Sequence, residues 1–253
     1  MNSLSSIELF GVPVESAEPD ALISFLRSSD RRMWIVTANP EILVHAQKHP
    51  EYARTLRAAD MRLADGFGIV LAGLLYGKRI RRLPGADLAE ALIAWAAEDG
   101  LTVGMIGGGK GIAARAFLKL VEQYPRLKGF VASGGIVNEN GDGDEDHARN
   151  IDILSMNRPD ILLVAFGHPK QERWIERHRT MFTSAKIIVG VGGTFDYWAG
   201  TSRAPSWMRR SGLEWLYRLY REPKRWKRIA TAVIVFPILA IADRLRMLQS
   251  LDH

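Results

Sequence analysis

Short apolar segments alternate with amphipathic segments along about the first 190 residues of the chain. The apolar segments have the length and the β-branched content of strands: 7–14, 33–37, 61–64, 102–106, 130–133, 161–165 and 187–191. The segments between them repeat apolar positions with a helical period: 19–28, 42–48, 52–59, 69–76, 86–97, 112–124, 146–156 and 171–178. Buried strands separated by helices are typical of a parallel sheet covered on both sides. The pattern predicts an α/β fold with a Rossmann-like, mostly parallel sheet and helices on both faces.

The pattern changes after Gly193. A helix start is predicted at Ser202-Arg203-Ala204-Pro205, and basic, aromatic and amphipathic segments follow it. Pro223 is expected to interrupt this helix and restart it. We therefore predict a Rossmann-like body over residues 1–200 and a helical C-terminal appendage over residues 201–253.

Residues 229–242 carry no charge, and Pro237 lies inside the segment. As a helix they reach only about 21 Å, short of the roughly 30 Å hydrocarbon core of a bilayer. Basic residues precede the segment, and Arg244 and Arg246 follow it. This arrangement predicts a helix lying in the interface of an anionic membrane. The alternative is a helix that packs on its own domain or on a partner chain.

Composition and the N-terminal residues indicate the class of protein and its cellular compartment. The chain has 253 residues, of which 47% are hydrophobic and 25% charged, as in an ordinary globular protein. It has no cysteine, which excludes disulfides, thiolate metal sites and cysteine nucleophiles. Residues 1–18 do not have the pattern of a secretory signal. We expect a protein on the cytoplasmic side.

The positive charge is concentrated in the appendage. The net charge is +6, but residues 203–228 alone contain nine basic and two acidic residues, so the rest of the chain is close to neutral. Basic charge by itself would also suit a nucleic-acid-binding protein. The interleaved tryptophans and the apolar segment that follows argue for a membrane partner and against nucleic acid.

Polar clusters follow several predicted strands. Thr37 and Asn39 follow the second strand, and Asp65 follows the third. Ligands bind at the carboxyl ends of parallel strands, so the first two side chains could hydrogen-bond a polyhydroxylated ligand. A carboxylate in such a place can act as a general base, although Asn39 and Asp65 could equally cap helices. Arg82 follows shortly, and further clusters contain Gln171 and Asp196. His168 suits either a base or a turn.

A glycine cluster at residues 104–111 follows the fourth strand and opens a helix, where backbone N–H groups can hold phosphate. It lacks the Ser or Thr of a Walker A loop, since Gly111 stands there. It also fits the looser dinucleotide pattern, but no acidic residue ends the next strand. Either a phosphate site that includes Gly107 and Gly108 or a plain tight turn remains open. Asp142-Gly143-Asp144 imitates a metal-binding pair but is better explained as a solvated turn, and no metal site is predicted.

Taken together, seven blocks resemble the WecG/TagA/CpsF glycosyltransferases, in the same order from about residue 7 to 228. The blocks are Thr37-Ala-Asn39, Ala64-Asp65-Gly66, Arg82-Leu-Pro-Gly85-Ala-Asp87, Pro169-Lys-Gln171-Glu172, Gly190-Val-Gly192-Gly193-Thr-Phe-Asp196, Arg203-Ala-Pro205 and Gly212-Leu-Glu-Trp215-Leu-Tyr-Arg218-Leu.

The resemblance implies an inverting, metal-independent and cofactor-free transfer of a hexose from a UDP-sugar to a polyprenyl-diphosphate-linked saccharide. It places the enzyme on the cytoplasmic face of the inner membrane. The sugar would be N-acetylmannosamine, its uronic acid or glucose. The oligomeric state stays open, with a homo-oligomer as one option. Two alternatives are a nucleotide-sugar epimerase or NAD-dependent oxidoreductase, and a nucleic-acid-binding protein.

The resemblance also implies roles for individual residues. Asp65 corresponds to the proposed general base. The sugar-nucleotide or acceptor pocket would be lined by Thr37, Asn39, Arg82 and Gln171, and to these the position at the strand ends adds Gly107, Gly108 and Asp196. Arginines of the appendage would hold a diphosphate and stabilise its developing charge: Arg218, Arg225 and Arg228.

Overall fold

The computed structural model describes residues 5–251 of the chain, with side chains to Gln249. Eight strands form one sheet in the order β1-β2-β4-β3-β8-β7-β5-β6, parallel except for the β1–β2 pair. Their bounds are β1 Ser6–Leu9, β2 Val12–Glu15, β3 Met33–Ala38, β4 Met61–Ala64, β5 Thr102–Gly107, β6 Lys128–Ala132, β7 Ile161–Ala165 and β8 Ile187–Gly190.

In the described part of the body, residues 5–200, nine helices accompany the strands: α1 Pro19–Ser28, α2 Pro40–Lys48, α3 Pro50–Arg57, α4 Phe67–Leu75, α5 Gly85–Asp99, α6 Ile112–Gln123, α7 Glu145–Met156, α8 Lys170–His178 and α9 Thr194–Trp198. The predicted α/β fold is confirmed, because two separate apolar clusters cover the two faces of the sheet. Every residue of β7 and β8 is buried, which explains why these strands are continuously apolar.

One predicted element is wrong. Residues 7–14 were expected to form a single strand, but the chain reverses at Phe10 and Gly11 and makes the antiparallel β1–β2 hairpin. Both residues have left-handed backbone conformations, with φ of 53° and 73°. Two consecutive residues of this kind form the tight turn that matches the twist of a two-stranded hairpin.

The appendage is mostly helical in its described part. It contains α10 Ser206–Arg210, α11 Glu214–Arg221, a short 3₁₀ turn at Pro223–Arg225, α12 Trp226–Ala230, a π-helical segment at Thr231–Val235 and α13 Phe236–Leu251. The break at Pro223 is therefore confirmed. The π-helical segment precedes Pro237, whose ring and missing N–H disturb the regular helical hydrogen bonds.

Body and appendage share an apolar core. Phe236 is 1% exposed and packs edge-to-face on Phe10 of the hairpin turn, with ring centroids 5.9 Å apart. The hydroxyl of Tyr76 donates a hydrogen bond to Asp243 at 2.7 Å. The predicted alternative, packing of the C-terminal helix on its own domain, therefore describes one side of α13. The division at residue 200 stays a prediction.

Candidate active site

The ends of β3 and β8 are tied together by Thr37. Its hydroxyl is buried and donates to the carbonyl oxygen of Gly190 at 3.2 Å. Asn39 caps α2, since its side chain accepts the N–H of Ile42 at 3.0 Å. Both residues thus lie at the carboxyl edge of the sheet, where the sequence predicts them, and both support local structure there.

Asp65 lies directly after β4 and does not cap a helix. Its backbone N–H donates to the carbonyl of Ala38 at 2.7 Å, and its carboxylate accepts the N–H of Gly85 at 3.2 Å. Gly66 follows with φ of 107°, and a Cβ there would come within 2.9 Å of the Pro40 ring. The strand end, the proline and the glycine therefore hold Asp65 in one position.

Burial raises the pKa of Asp65 from 3.8 to about 6. The Gly85 N–H and the positive charges of Arg218 and Arg82 oppose this rise, whereas the charge of Glu214 adds to it. A carboxylate with a pKa slightly below neutrality is ionised at physiological pH and still basic enough to accept a proton from a hydroxyl. Asp65 is thus suited to general-base catalysis.

Glu214 connects the two arginines nearest to Asp65. It accepts a hydrogen bond from Arg218 at 2.7 Å, and the nearest nitrogen of Arg82 is 4.0 Å from its carboxylate. Burial alone would raise the pKa of Glu214, but Arg218 and its neighbours outweigh burial and the pKa is lowered. Glu214 was not predicted as a site residue, although its spacing of four residues from Arg218 is the spacing of a helical ion pair.

A second set of contacts joins the appendage to α5 and α9. Arg203 donates to Asp87 at 2.6 Å. The guanidinium groups of Arg203 and Arg218 each lie 5.8 Å from the ring centre of Tyr197, which is cation–π distance. Tyr197 was also missed, since no sequence pattern distinguished it from other aromatic residues.

Gln171 is buried under the loop that follows β8. Its amide oxygen accepts the N–H of Gly192 at 2.9 Å, and its amide nitrogen donates to Glu172 at 2.8 Å. A Cβ at Gly190 would lie 2.1 Å from that nitrogen, so glycine is required there. Tyr52 donates to the second oxygen of Glu172 at 2.8 Å. This arrangement suits Gln171 to positioning the loop.

The glycine cluster makes a sharp, crowded turn at the end of β5. Gly107 has φ of 106°, and a Cβ there would lie 2.6 Å from the Ala165 carbonyl oxygen. The N–H of Gly108 donates to that same oxygen at 2.8 Å. Asp196 lies in α9, the helix that follows the loop after β8. The sequence prediction that these three residues bind substrate is compatible with their places and stays a prediction.

The three predicted diphosphate arginines differ in position. Arg218 is near Asp65, Arg225 pairs with Glu222 at 2.6 Å, and Arg228 pairs with Glu41 of α2 at 2.7 Å. Each guanidinium is thus already paired with a carboxylate, so a diphosphate would have to share or replace that partner.

His168 lies beside the Arg228–Glu41 pair. Burial and the charge of Arg228 lower the pKa of His168 to about 3, so the imidazole is neutral at physiological pH. Glu41 is therefore balanced by Arg228, although His168 is also within 3.7 Å. A histidine with so low a pKa is a weak base, which favours the turn interpretation of His168.

The acidic pair at residues 142–144 has structural partners. Asp144 caps α7 by accepting the N–H of His147 at 2.9 Å, and Asp142 pairs with Arg177. These contacts agree with the interpretation as a turn. Within residues 5–251 the structure contains no cluster of three or more acidic, histidine or cysteine side chains that could hold a metal ion.

An α/β sheet with an ionisable base and arginines at its carboxyl edge defines a class of enzyme that acts on anionic substrates. Residues 7–250 match the family described as Glycosyl transferase WecG/TagA/CpsF family. The chain therefore belongs to this glycosyltransferase family. Membership confirms the resemblance and supports a glycosyltransferase over the oxidoreductase and nucleic-acid alternatives.

Three similar proteins share the name N-acetylglucosaminyldiphosphoundecaprenol N-acetyl-beta-D-mannosaminyltransferase. The one from Bacillus spizizenii is 36% identical over 198 residues, covering 78% of this chain and 74% of the relative. The one from Bacillus subtilis is 32% identical over 227 residues, covering 87% and 86%. The one from Staphylococcus aureus strain MRSA252 is 30% identical over 250 residues, covering 96% and 95%.

Proposed function

We propose that this glycosyltransferase transfers N-acetylmannosamine from UDP-N-acetylmannosamine to the saccharide of a polyprenyl-diphosphate-linked acceptor, with inversion and without a metal. The observation that carries the proposal is Asp65, a carboxylate with a pKa of about 6 beside Arg82 and Arg218 at the carboxyl edge of the sheet. The names of the three relatives support the sugar and the lipid-linked acceptor.

The reaction needs a base on the acceptor side. The acceptor hydroxyl attacks the anomeric carbon as its proton passes to the Asp65 carboxylate. A new C–O bond forms, the bond from the anomeric carbon to the diphosphate breaks, and the electron pair of that bond leaves on UDP. Attack from the face opposite the leaving group inverts the anomeric configuration.

The reaction also needs positive charge on the leaving-group side. In the absence of a metal, guanidinium groups can stabilise the charge that develops on the diphosphate. Arg218 is suited to this role, because it lies near Asp65 and is fixed by Glu214 and the Tyr197 ring. Thr37, Gln171 and Gly192 would act by fixing the loop after β8 that borders the site.

The enzyme would work at the cytoplasmic face of the inner membrane. None of the helices in the described range 5–251 is long and apolar enough to span a bilayer. The π-helical segment and α13 nevertheless expose apolar side chains at roughly helical spacing: Ile234, Ile238, Ile241 and Leu245. Exposed leucines of the neighbouring α4 add to the same kind of surface. With flanking arginines and lysines, this surface suits peripheral binding to anionic lipid.

UDP release tests the proposal directly. The purified protein is incubated with N-acetylglucosamine linked through a diphosphate to a short-chain lipid. Three donors are tested in separate reactions: UDP-N-acetylmannosamine, its uronic acid and UDP-glucose. We expect UDP release only with the first donor, only with acceptor present, and unchanged in EDTA. Release without acceptor, loss in EDTA, or preference for another donor would each overturn the corresponding part of the proposal.

A further inference from the structure

A cavity of about 430 Å³ opens between the body and α10 of the appendage. One carboxylate, that of Glu18, and four guanidinium groups line it, so the lining carries an excess of positive charge. The four are Arg81, Arg82, Arg209 and Arg210. Leu83, the residue after Arg82, donates its N–H to the carbonyl of Ala64 at 2.8 Å, which places this arginine cavity beside the candidate base Asp65.

Two of the four arginines are fixed and two can adapt. Arg82 donates to the carbonyl of Arg209 at 2.9 Å, and Arg209 donates to the carbonyl of Ala204 at 3.2 Å. The side chain of Arg81 is 73% exposed and pairs with Glu18 at the rim. Arg210 is exposed, and its contact with a serine hydroxyl is long at 3.5 Å. Flexible cations around a fixed pair suit an anion with several oxygens.

The arginine cavity also has apolar lining residues. They include Phe67, Val70 and Ile80. Phe67 begins α4 and is 40% exposed, and Leu71 and Leu74 continue the same helix face at 51% and 60% exposure. An apolar strip therefore leads from the cavity along α4. A ligand that fits this site combines a multiply charged anion with a hydrocarbon chain.

We propose that the arginine cavity binds an amphipathic diphosphate: the diphosphate and first prenyl units of the lipid-linked acceptor. The assignment rests on the proposed function, whose two substrates each carry a diphosphate. Arg218 lines a different, smaller cavity of about 140 Å³ with Tyr197 and Arg221, which is left for the diphosphate of the donor. Two separate cationic cavities near Asp65 allow both substrates to be held at once.

Farnesyl diphosphate, below its micelle concentration, is the probe for this site. Calorimetric titration of the full chain should show tighter binding of farnesyl diphosphate than of inorganic pyrophosphate or farnesol, each by about tenfold or more. The double variant Arg81→Gln/Arg210→Gln should weaken farnesyl diphosphate binding about tenfold and leave the affinity for UDP within about twofold. Unchanged UDP affinity also reports that the variant is folded.

The matched control is Arg31→Gln/Arg115→Gln, which removes two exposed arginines that do not line the cavity. This control should bind farnesyl diphosphate like the wild type. Equal effects of the two double variants, equal binding of pyrophosphate and farnesyl diphosphate, or an equal loss of UDP affinity would overturn the assignment. Binding does not require turnover, so failure of every UDP-sugar as donor would refute the proposed function and leave this result standing.

Discussion

The carboxylate of Asp65 accepts the backbone N–H of Gly85 at 3.2 Å and thereby joins the end of β4 to the start of α5. The hydrogen bond uses Oδ2, and no residue in the described part of the chain donates to Oδ1. One oxygen is therefore held while the other can take a proton from substrate. Arg82 lies three residues before Gly85 in the loop between α4 and α5. The same hydrogen bond therefore fixes a cation next to the base.

Asp65→Asn should abolish catalysis without disturbing the site. The asparagine oxygen can still accept the Gly85 N–H, but the amide cannot accept a proton from the acceptor. We expect kcat to fall about 10²- to 10⁴-fold, the usual contribution of a general base, with UDP affinity nearly unchanged. UDP release and calorimetry measure the two quantities. Asp152→Asn removes an exposed carboxylate on α7 as control; turnover of Asp65→Asn close to that of the control would exclude Asp65 as the base.

The pH dependence of turnover should respond in opposite directions to the charges around Asp65. Because the ionised carboxylate is the active form, kcat should fall about tenfold per pH unit below the pKa of about 6. Glu214 raises this pKa and Arg82 lowers it. Glu214→Gln should therefore move the acid limb of the pH profile to lower pH, and Arg82→Gln should move it to higher pH. Shifts in the same direction would show that Asp65 does not determine the limb.

The same carboxylate should cost stability at neutral pH. Its folded-state pKa of about 6 exceeds the unfolded value of 3.8, so the native state binds more protons between these values and stability is lost as pH rises through about 6. Asp65→Asn cannot ionise. Urea unfolding should find it more stable than wild type by up to about 3 kcal/mol at pH 8, and by less than about 1 kcal/mol at pH 4. If the stability gained by Asp65→Asn over wild type were smaller at pH 8 than at pH 4, this would contradict the burial of a charged Asp65.

Much of the fold was predictable because burial leaves a periodic signal. Central strands such as β7 and β8 are continuously apolar, and polar residues follow several of the strands. The β1–β2 hairpin was missed because its turn is Phe10-Gly11. A bulky phenylalanine with positive φ is uncommon, so no local rule separated the two strands.

The positions of several candidate site residues at strand ends were predictable, but the contacts that connect these residues were not. Asp65 was found from its place after β4. The Arg82–Glu214 and Arg203–Asp87 contacts join the appendage to the body, and Gln171 reaches Gly192 across 21 residues. Such pairings depend on how the appendage and the loops pack, which a single sequence does not encode as a pattern.

Tyr52→Phe should destabilise the loop that Gln171 supports. Without the tyrosine hydroxyl, the buried carboxylate of Glu172 loses one of its two side-chain donors, and its pKa, already raised by burial, should rise further. We expect a loss of about 1 to 3 kcal/mol in urea unfolding at pH 8. The loss should shrink at acid pH, because a protonated Glu172 no longer needs the hydrogen bond as a charged group. Tyr220→Phe, at an 82% exposed tyrosine, is the control, and equal stability of the two variants would contradict the network.

Membrane binding should depend on the exposed side of α13. Ile238 is 61% exposed in this helix, and Leu118 is 64% exposed in α6, outside the proposed membrane surface. An aspartate at either position costs little in folding, because both side chains already face solvent. Ile238→Asp also places a charge where the helix would enter the lipid interface. In sedimentation with vesicles of phosphatidylglycerol and phosphatidylcholine, Ile238→Asp should therefore lose most of its bound fraction while Leu118→Asp remains bound like wild type. If both variants stay bound, charge attraction by the arginines and lysines of the appendage would be sufficient and α13 would have no part in the binding.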